Sequence, residues 1–298
     1  MARSIFDHNF FEALDTEEKA YWLGFIMADG CILETGKRKK QRTISIELAL
    51  VDIRHLKKWH AAIKSTRSIN KYDRLRKNKG VGKIFRSAVS NHSSIKMAAD
   101  LLKYGCTPRK TLVLKFPLNI PNGLLNHFIR GYFDGDGSFY LDRRYKTPQL
   151  IANFVGTPNF INGIIGRLPV GSKAKHYKRG KVSTMFITGN INAINFGRWL
   201  YNNATIFLDR KKKLFDRHVE KYEAAKLRDD FGPFHKPGER NPNAKLTNKD
   251  VLKIKKMLYL GTHSQASIAK IFNADVMTIS YIKRGIQWSS IIYNPEKE

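Results

Sequence analysis

Hydrophobic positions along the chain change period in a fixed order, and that order is used twice. From about Phe10 to Ala28 apolar residues recur at helical spacing, with a helix start at Asp15-Thr16-Glu17-Glu18 inside the segment and a stop at Asp29-Gly30. Glycine ends helices well because it tolerates the left-handed backbone there. Thr43 to Leu50 alternates and predicts a strand; Ile53 to Lys64 predicts a helix; after a basic, hairpin-like stretch, Phe85 to Ser90 predicts a strand and Ser93 to Tyr104 a helix. A short element with Arg109-Lys110-Thr111 closes the unit. From Asn122 the order returns: a helix ending at Asp136-Gly137, a strand near Gln149 to Val155, a helix near Asn159 to Leu168, a basic segment, a strand at Ser183 to Thr188, a helix at Ile191 to Tyr201, and Arg210-Lys211-Lys212. The Asp-Gly endings and the Arg-Lys pairs keep register within a few residues, so the chain carries a duplication. Each copy reads as helix, strand pair, helix, strand pair, helix: an α+β unit whose sheet keeps one face free.

Past about Asp230 the pattern changes. Gly-Pro-Phe-His-Lys-Pro-Gly-Glu-Arg-Asn-Pro-Asn is rich in turn formers and reads as a linker over 231–245. Three short helices follow: Leu246 to Leu260 opened by Thr247, Gln265 to Phe272 capped by Ser264, and Val276 to Arg284 after a tight Asn273-Ala274-Asp275 turn. The last two, joined by such a turn, resemble a helix-turn-helix, with Ile268, Ile271, Val276, Ile279 and Ile282 as the expected core and Met277, Thr278, Ser280, Tyr281, Lys283 and Arg284 left for a groove. The expected organisation is therefore 1–117 and 118–230 as the two halves, the linker, and a helical module over 246–298.

Charge then changes the picture. The chain holds 54 Lys and Arg against 25 Asp and Glu, a net charge of +29. Such an excess points to a polyanion, because cationic side chains that neutralise phosphates release condensed counterions. The basic residues are interleaved with apolar and aromatic ones, so the binding surface belongs to the fold rather than to a tail. No apolar run has the length of a membrane span, and the N-terminus lacks a secretory pattern. Cys31 and Cys106 are too few for a disulfide framework and lack zinc spacing. A monomer in a reducing compartment, the cytoplasm of a bacterial or phage-infected cell or an organelle, is the expectation.

The candidate chemistry sits at the two Asp-Gly endings, Trp22-Leu-Gly-Phe-Ile-Met-Ala-Asp-Gly30 and Ile129-Arg-Gly-Tyr-Phe-Asp-Gly-Asp-Gly137. Gly24 and Ala28 lie four apart, as do Gly131 and Gly135, so each helix carries a smooth stripe on which another backbone can close. If the stripes meet, Asp29 and Asp136 emerge side by side. Two carboxylates so held repel unless a hard cation lies between them, and with helix-end carbonyls and phosphate oxygens they make an oxygen-rich site suited to Mg2+, with Mn2+ as an alternative.

Both segments resemble the LAGLIDADG motif, and residues 10 to 220 or so resemble the single-chain, two-motif LAGLIDADG homing endonucleases. The resemblance implies a pseudo-twofold fold of two αββαββα halves and a site-specific cut through both strands of a long DNA target. It also implies that Asp29 and Asp136 bind the divalent metal. Met27 stands where the family often has an earlier acid, and Asp134 at the matched place reads as structural, or at most as a support one step behind the metal ligands. The family's late basic residue falls on Lys110 and Lys211, where a lysine can polarise the attacking water or stabilise the developing phosphorane charge.

DNA is expected in the grooves of the two free sheet faces. Ile44, Ile46, Leu48 and Leu50 would pack under the helices, leaving Thr43, Ser45, Glu47 and Ala49 outward. Between Lys64 and Arg86 nine basic residues face a single acid, Asp73. Candidate contacts are Lys37, Arg38, Lys40, Arg42, Ser45, Glu47, Arg74, Arg76 and Lys83 in the first half. In the second they are Arg143, Arg144, Asn153, Lys175, Lys178, Arg179 and Lys181. Gly238 to Thr247 is similar to the segment that precedes helix-turn-helix modules in phage and intron-encoded endonucleases, which adds Arg240 and Lys245 to Thr278, Tyr281, Lys283 and Arg284 in the C-terminal part. Two other readings stay open on the sequence: an RNA-binding maturase acting on intron RNA, and a non-catalytic DNA-binding regulator, which would have no need of both carboxylates.

Overall fold

The computed structural model describes residues 5–36, 41–78, 81–144, 148–169, 172–227, 238–240, 244–284, 287–288, 291 and 293. They fall into two units, Met1–Glu220 and Lys221–Glu298.

In the first unit Thr16 caps α1 (Glu17–Ala28), its hydroxyl accepting from the Lys19 amide at 3.3 Å, and Asp29 takes the C-cap position. β1 (Gly30–Thr35) and β2 (Gln41–Ala49) follow, then α2 (Ile53–Ala62), β3 (Asn70–Asn78), β4 (Val81–Ser93) and α3 (Ile95–Lys103). The second half repeats them as α4 (Leu125–Asp136), β5 (Gly137–Asp142), β6 (Gln149–Gly156), α5 (Pro158–Ile165), β7 (Ala174–Arg179), β8 (Val182–Thr188) and α6 (Asn190–Leu200), and adds α7 (Asp209–Leu227). Both sheets are antiparallel with matched orders, β1-β2-β4-β3 and β5-β6-β8-β7. The duplication read from the sequence is present. The first strand of each half was not placed there: β1 and β5 are six residues long, follow the helix without a turn segment, and begin with the glycines that also end the helix signal.

α1 and α4 pack face to face along their small-residue stripes. A Cβ on Gly24 would fall against the Phe128 carbonyl oxygen and 2.9 Å from the Tyr132 nitrogen; one on Gly131 would fall against the Tyr21 carbonyl oxygen and 2.9 Å from the Phe25 nitrogen. No side chain fits at either position, so glycine is what lets the backbones close. Away from the stripe the helices turn Trp22, Phe25, Phe128 and Phe133, all fully buried, into the cores beneath the two sheets.

Ile44, Ile46 and Leu48 of β2 are buried under the helices as their alternation predicts, while Leu50 opens a short 3-10 turn and is only half-buried. The core of the first half also holds a hydrogen-bonded chain of His60, Ser90, His92 and Ser65, with distances of 2.9, 3.3 and 2.7 Å. Burial pushes His92 down to about 3, so the ring is neutral and the serines satisfy it.

One side of the helix pair is polar. Arg130, fully buried, donates to the carbonyls of Ile206 (2.9 Å) and Leu200 (3.0 Å) and to Glu17 Oε1 (2.6 Å), while Glu17 also accepts from the Thr205 amide at 2.7 Å. The buried Arg130 charge is met by Glu17, the condition under which a buried ion pair is tolerated.

The second unit has α8 (Asn248–Leu260), α9 (Gln265–Ile271) and α10 (Val276–Lys283). Thr247 and Asp250 form a reciprocal capping box on α8, and Ser264 caps α9. Leu246, Val251, Ile254, Ile268, Ala269, Ile279 and Ile282 make the core. Two expected core residues are not in it: Ile271 and Val276 are 57% and 49% exposed, because they flank the turn and the core is completed instead by α8 and by Ala269. Within the expected linker, Gly238–Arg240 is a 3-10 turn whose Glu239 accepts from the Asn248 amide at 2.7 Å; 231–237 and 241–243 lie outside the described residues.

Candidate metal and phosphodiester site

The glycine contact brings the two Asp-Gly endings together. A Cβ on Gly135 would lie 3.2 Å from the Asp29 nitrogen, so the backbone carrying Asp29 runs directly against the residue preceding Asp136. The Asp29 and Asp136 side chains both reach solvent, while the helix ends that carry them are packed. Burial pushes Asp29 up to about 6, and the neighbouring Asp136 carboxylate adds to the shift; Asp136 is raised too, again first by burial. The Tyr132 hydroxyl, one turn before Asp136, donates to the Val155 carbonyl at 2.9 Å and also reaches the Asp136 carboxylate. Phe25 holds the matched place beside Asp29, so the two carboxylates are not equivalent.

Lys110 and Lys211 are buried, 7% and 5% exposed, and arranged alike. Lys110 Nζ donates to the carbonyls of Ala28 (3.4 Å) and Gly30 (2.5 Å), which flank Asp29; Lys211 Nζ donates to those of Gly135 (3.4 Å) and Gly137 (2.6 Å), which flank Asp136, and to Phe133 (2.7 Å) and Asp134 (2.6 Å). Each ammonium thus closes the negative end of one motif helix and stands near both carboxylates, lowering the Asp29 pKa against the burial effect. Burial brings Lys211 itself down to about 8. The four carbonyls flanking the aspartates accept from lysines, so the protein's own offering to a cation is the pair of carboxylates. Two carboxylates in a partly desolvated recess fit a hard divalent ion, with water or a phosphate completing its shell. Among the described residues no group of three or more His, Cys, Asp or Glu side chains gathers around a common point.

No protein-family model and no curated protein matches the chain. Solved structures do. The chain is similar to the meganuclease I-SmaMI bound to uncleavable DNA (12% identity, TM-score 0.46, covering 67% of this chain and 89% of that one). It is similar also to the LAGLIDADG homing endonuclease I-LtrWI bound to target DNA (12%, 0.47, 72% and 93%). A third is the homing endonuclease I-WcaI bound to its recognition sequence (17%, 0.47, 68% and 90%).

The expected DNA contacts divide by register. On the free face of the first sheet lie Ser45, Glu47 and Arg74, with Glu47 and Arg74 paired at 3.2 Å and Ser45 nearly covered. Arg76 and Lys83 are backbone partners in the β3–β4 register, and Lys37, Arg38 and Lys40 lie outside the described residues. Arg42 sits on the opposite row with Glu34, 3.5 Å away. In the second sheet Asn153, Lys175 and Arg179 share the free face, whereas Lys178 alternates to the other; Ser138 donates to Asn153 at 2.5 Å. Lys181 follows the exposed Gly180 turn, Arg143 is exposed, and Arg144 pairs with Asp142 at 2.6 Å. Lys245, Lys283 and Arg284 are exposed, Thr278 and Tyr281 half-buried, and the Arg284 guanidinium lies over the Tyr281 ring; the Arg240 side chain is outside the description.

Sequence reasoning missed the aromatic centre of both free faces. Tyr72 and Phe85 lie on the first, Tyr140, Tyr177 and Phe186 on the second. Their signal in the sequence is alternation, since in β7 Lys175, Tyr177 and Arg179 occupy one face.

Proposed function

We propose that this chain is a LAGLIDADG-type endonuclease that cuts both strands of a specific duplex with Mg2+ and promotes the mobility of the element encoding it. The observation that carries the reading is the glycine-packed α1–α4 pair. It delivers Asp29 and Asp136 to one point on a pseudo-twofold axis, each with its own buried lysine, between two sheets with free faces. A twofold pair of acid–lysine sets matches a substrate with two antiparallel strands.

Asp29 and Asp136 would hold the metal, which supplies Lewis-acid activation of the phosphate and of a water. Lys110 and Lys211 place positive charge where a phosphorane develops it, and Lys211, at about 8, is poised to exchange a proton near neutral pH. The free faces, with Arg74, Asn153, Lys175 and Arg179 around aromatic centres, offer donors and apolar contacts to base edges in the major groove. The three-helix unit adds a second DNA module, α10 carrying Met277, Lys283 and Arg284 outward, and a tethered second module raises affinity through effective concentration.

Incubating a random duplex library with the protein and Mg2+, and sequencing the ends, tests this directly. Defined breaks in both strands at a recurrent long sequence are expected. No breaks with wild-type protein that binds DNA would overturn it.

A further inference from the structure

The two halves hold their lysines by different means. Lys211 stands three residues after Leu208, which opens α7: the amides of Lys211 and Lys212 donate to the Leu208 carbonyl at 3.0 and 3.2 Å. The Leu208 amide in turn donates to Asp134 Oδ2 at 2.7 Å. The same oxygen accepts from the Tyr21 hydroxyl at 2.8 Å, and Tyr21 comes from the other half. Since that hydroxyl hydrogen is given to Asp134, the Tyr21 oxygen receives the His55 Nε2 hydrogen at 2.9 Å. A second clamp acts on the adjoining residues: Lys58 donates to the Phe207 carbonyl at 2.8 Å and to Asp209 at 2.7 Å.

Among the described residues nothing of this kind surrounds Lys110. Met27 occupies the place of Asp134, Phe128 that of Tyr21 and Pro108 that of Asp209. Met27 is as buried as Asp134, so an apolar side chain satisfies the packing at this position. The carboxylate of Asp134 is 1% exposed and its Oδ1 has no hydrogen-bond partner. A buried, half-satisfied carboxylate costs stability relative to methionine. What it provides in return is the fixed Leu208 amide.

We infer that Asp134 is a positioning residue: by holding Tyr21 and the first turn of α7 it sets Lys211 against the carbonyls flanking Asp136, giving the second half-site a control that the first lacks. The inference rests on the reading of Lys110 and Lys211 as the two strand-cutting lysines. It predicts that disturbing Asp134 affects one strand only.

The test uses the full chain and a selected target labelled on both strands. In Asp134→Met, which copies the first half, single-turnover cutting of one strand should fall by about ten- to a hundredfold, the range for loss of a supporting hydrogen bond behind an active group. The other strand and the DNA Kd should hold, so supercoiled plasmid accumulates as nicked circle. Asp134→Asn keeps an oxygen for Leu208 and Tyr21 and should restore cutting of both strands. Equal slowing of both strands, or failure of Asn to restore, would overturn the proposal. An independent readout needs no DNA: in Asp134→Met the 13Cε signal of Lys211 should shift and the Leu208 amide should lose exchange protection, with Lys110 unmoved. If Lys211 does not move, the positioning role is wrong even if the protein is a nuclease. If it moves but wild type cuts nothing, the positioning stands and the nuclease reading fails.

Discussion

At the scale of single residues the site is a compromise between stability and chemistry. Asp29 is ionised at neutral pH in a place where burial and Asp136 oppose ionisation, and its carboxyl is pushed up to about 6. A folded-state value raised above the unfolded one means that the folded protein binds the proton more tightly. The associated stability is present at low pH and is lost as pH rises through 6. Asp29→Asn should therefore be more stable than wild type at pH 7.5 without divalent metal, by about 1 kcal/mol once the partial exposure of the side chain is discounted. At pH 4.5, where the folded wild type carries the proton, the gain should shrink toward zero. Urea melts at the two values measure both; an equal gain at both would show that the charge is not what the substitution relieves. The same substitution, or Asp136→Asn, should lower cutting by at least about a thousandfold while leaving target affinity within severalfold, because the proposed function assigns metal binding and groove contacts to different residues. Cleavage assays beside gel-shift titrations separate the two effects, and near-normal cutting by both variants would remove the carboxylates from the mechanism.

At the scale of elements, what can be read from the sequence follows the range of the forces involved. Helix stripes are local: Gly24 with Ala28 and Gly131 with Gly135 are four apart, and the spacing alone foretells the α1–α4 contact. Caps are local as well, and Thr16, Thr247 and Ser264 all cap as their positions predict. A strand pair after each motif helix is expected, but β1 and β5 cannot be located in the sequence, because a six-residue segment starting at a helix-ending glycine carries too little period to register against the helix signal. Ile271 and Val276 were misplaced because a helical stripe does not say which of its two margins the third helix covers. The polar clamp on Lys211 was invisible, since Tyr21, Lys58, Asp134 and Leu208 come from distant stretches and meet only in the fold. The helix contact makes its own prediction. Gly24→Ala or Gly131→Ala drives a methyl into a carbonyl and should cost about 3 kcal/mol, at the upper end of overpacking. Gly123→Ala, where a Cβ meets nothing within 4 Å, should change stability by less than about 0.5 kcal/mol. Denaturant midpoints compare the three, and a silent Gly24 variant would mean that the helices can separate without loss.

At the scale of the whole molecule, a net charge of +29 has to be divided between recognition and delivery. Within the first unit many cations near the free faces are already engaged: Arg74 with Glu47, Arg144 with Asp142, Lys110 and Lys211 with carbonyls. Under the proposed reading, direct neutralisation of phosphates falls to exposed residues such as Lys175, Arg179 and Lys181 there, and Lys245, Lys283 and Arg284 in the second unit. The second unit has its own core and contributes no residue to the acid–lysine set. Removing residues 235–298 leaves α7 whole and should weaken target binding by about ten- to a hundredfold through lost effective concentration. It should also make the decline of affinity with salt shallower, because fewer phosphates are neutralised. The cutting rate at saturating DNA should stay within about threefold of the full chain, since Asp29, Asp136, Lys110 and Lys211 are untouched and binding made equally in ground and transition states does not enter kcat. Fluorescence anisotropy across a salt series, paired with single-turnover cleavage, reads the three quantities separately. A folded truncation that binds the target normally would deny the helical unit a role in DNA contact. One that binds but cannot cut would place part of the chemistry beyond residue 235, against the geometry of the two aspartates.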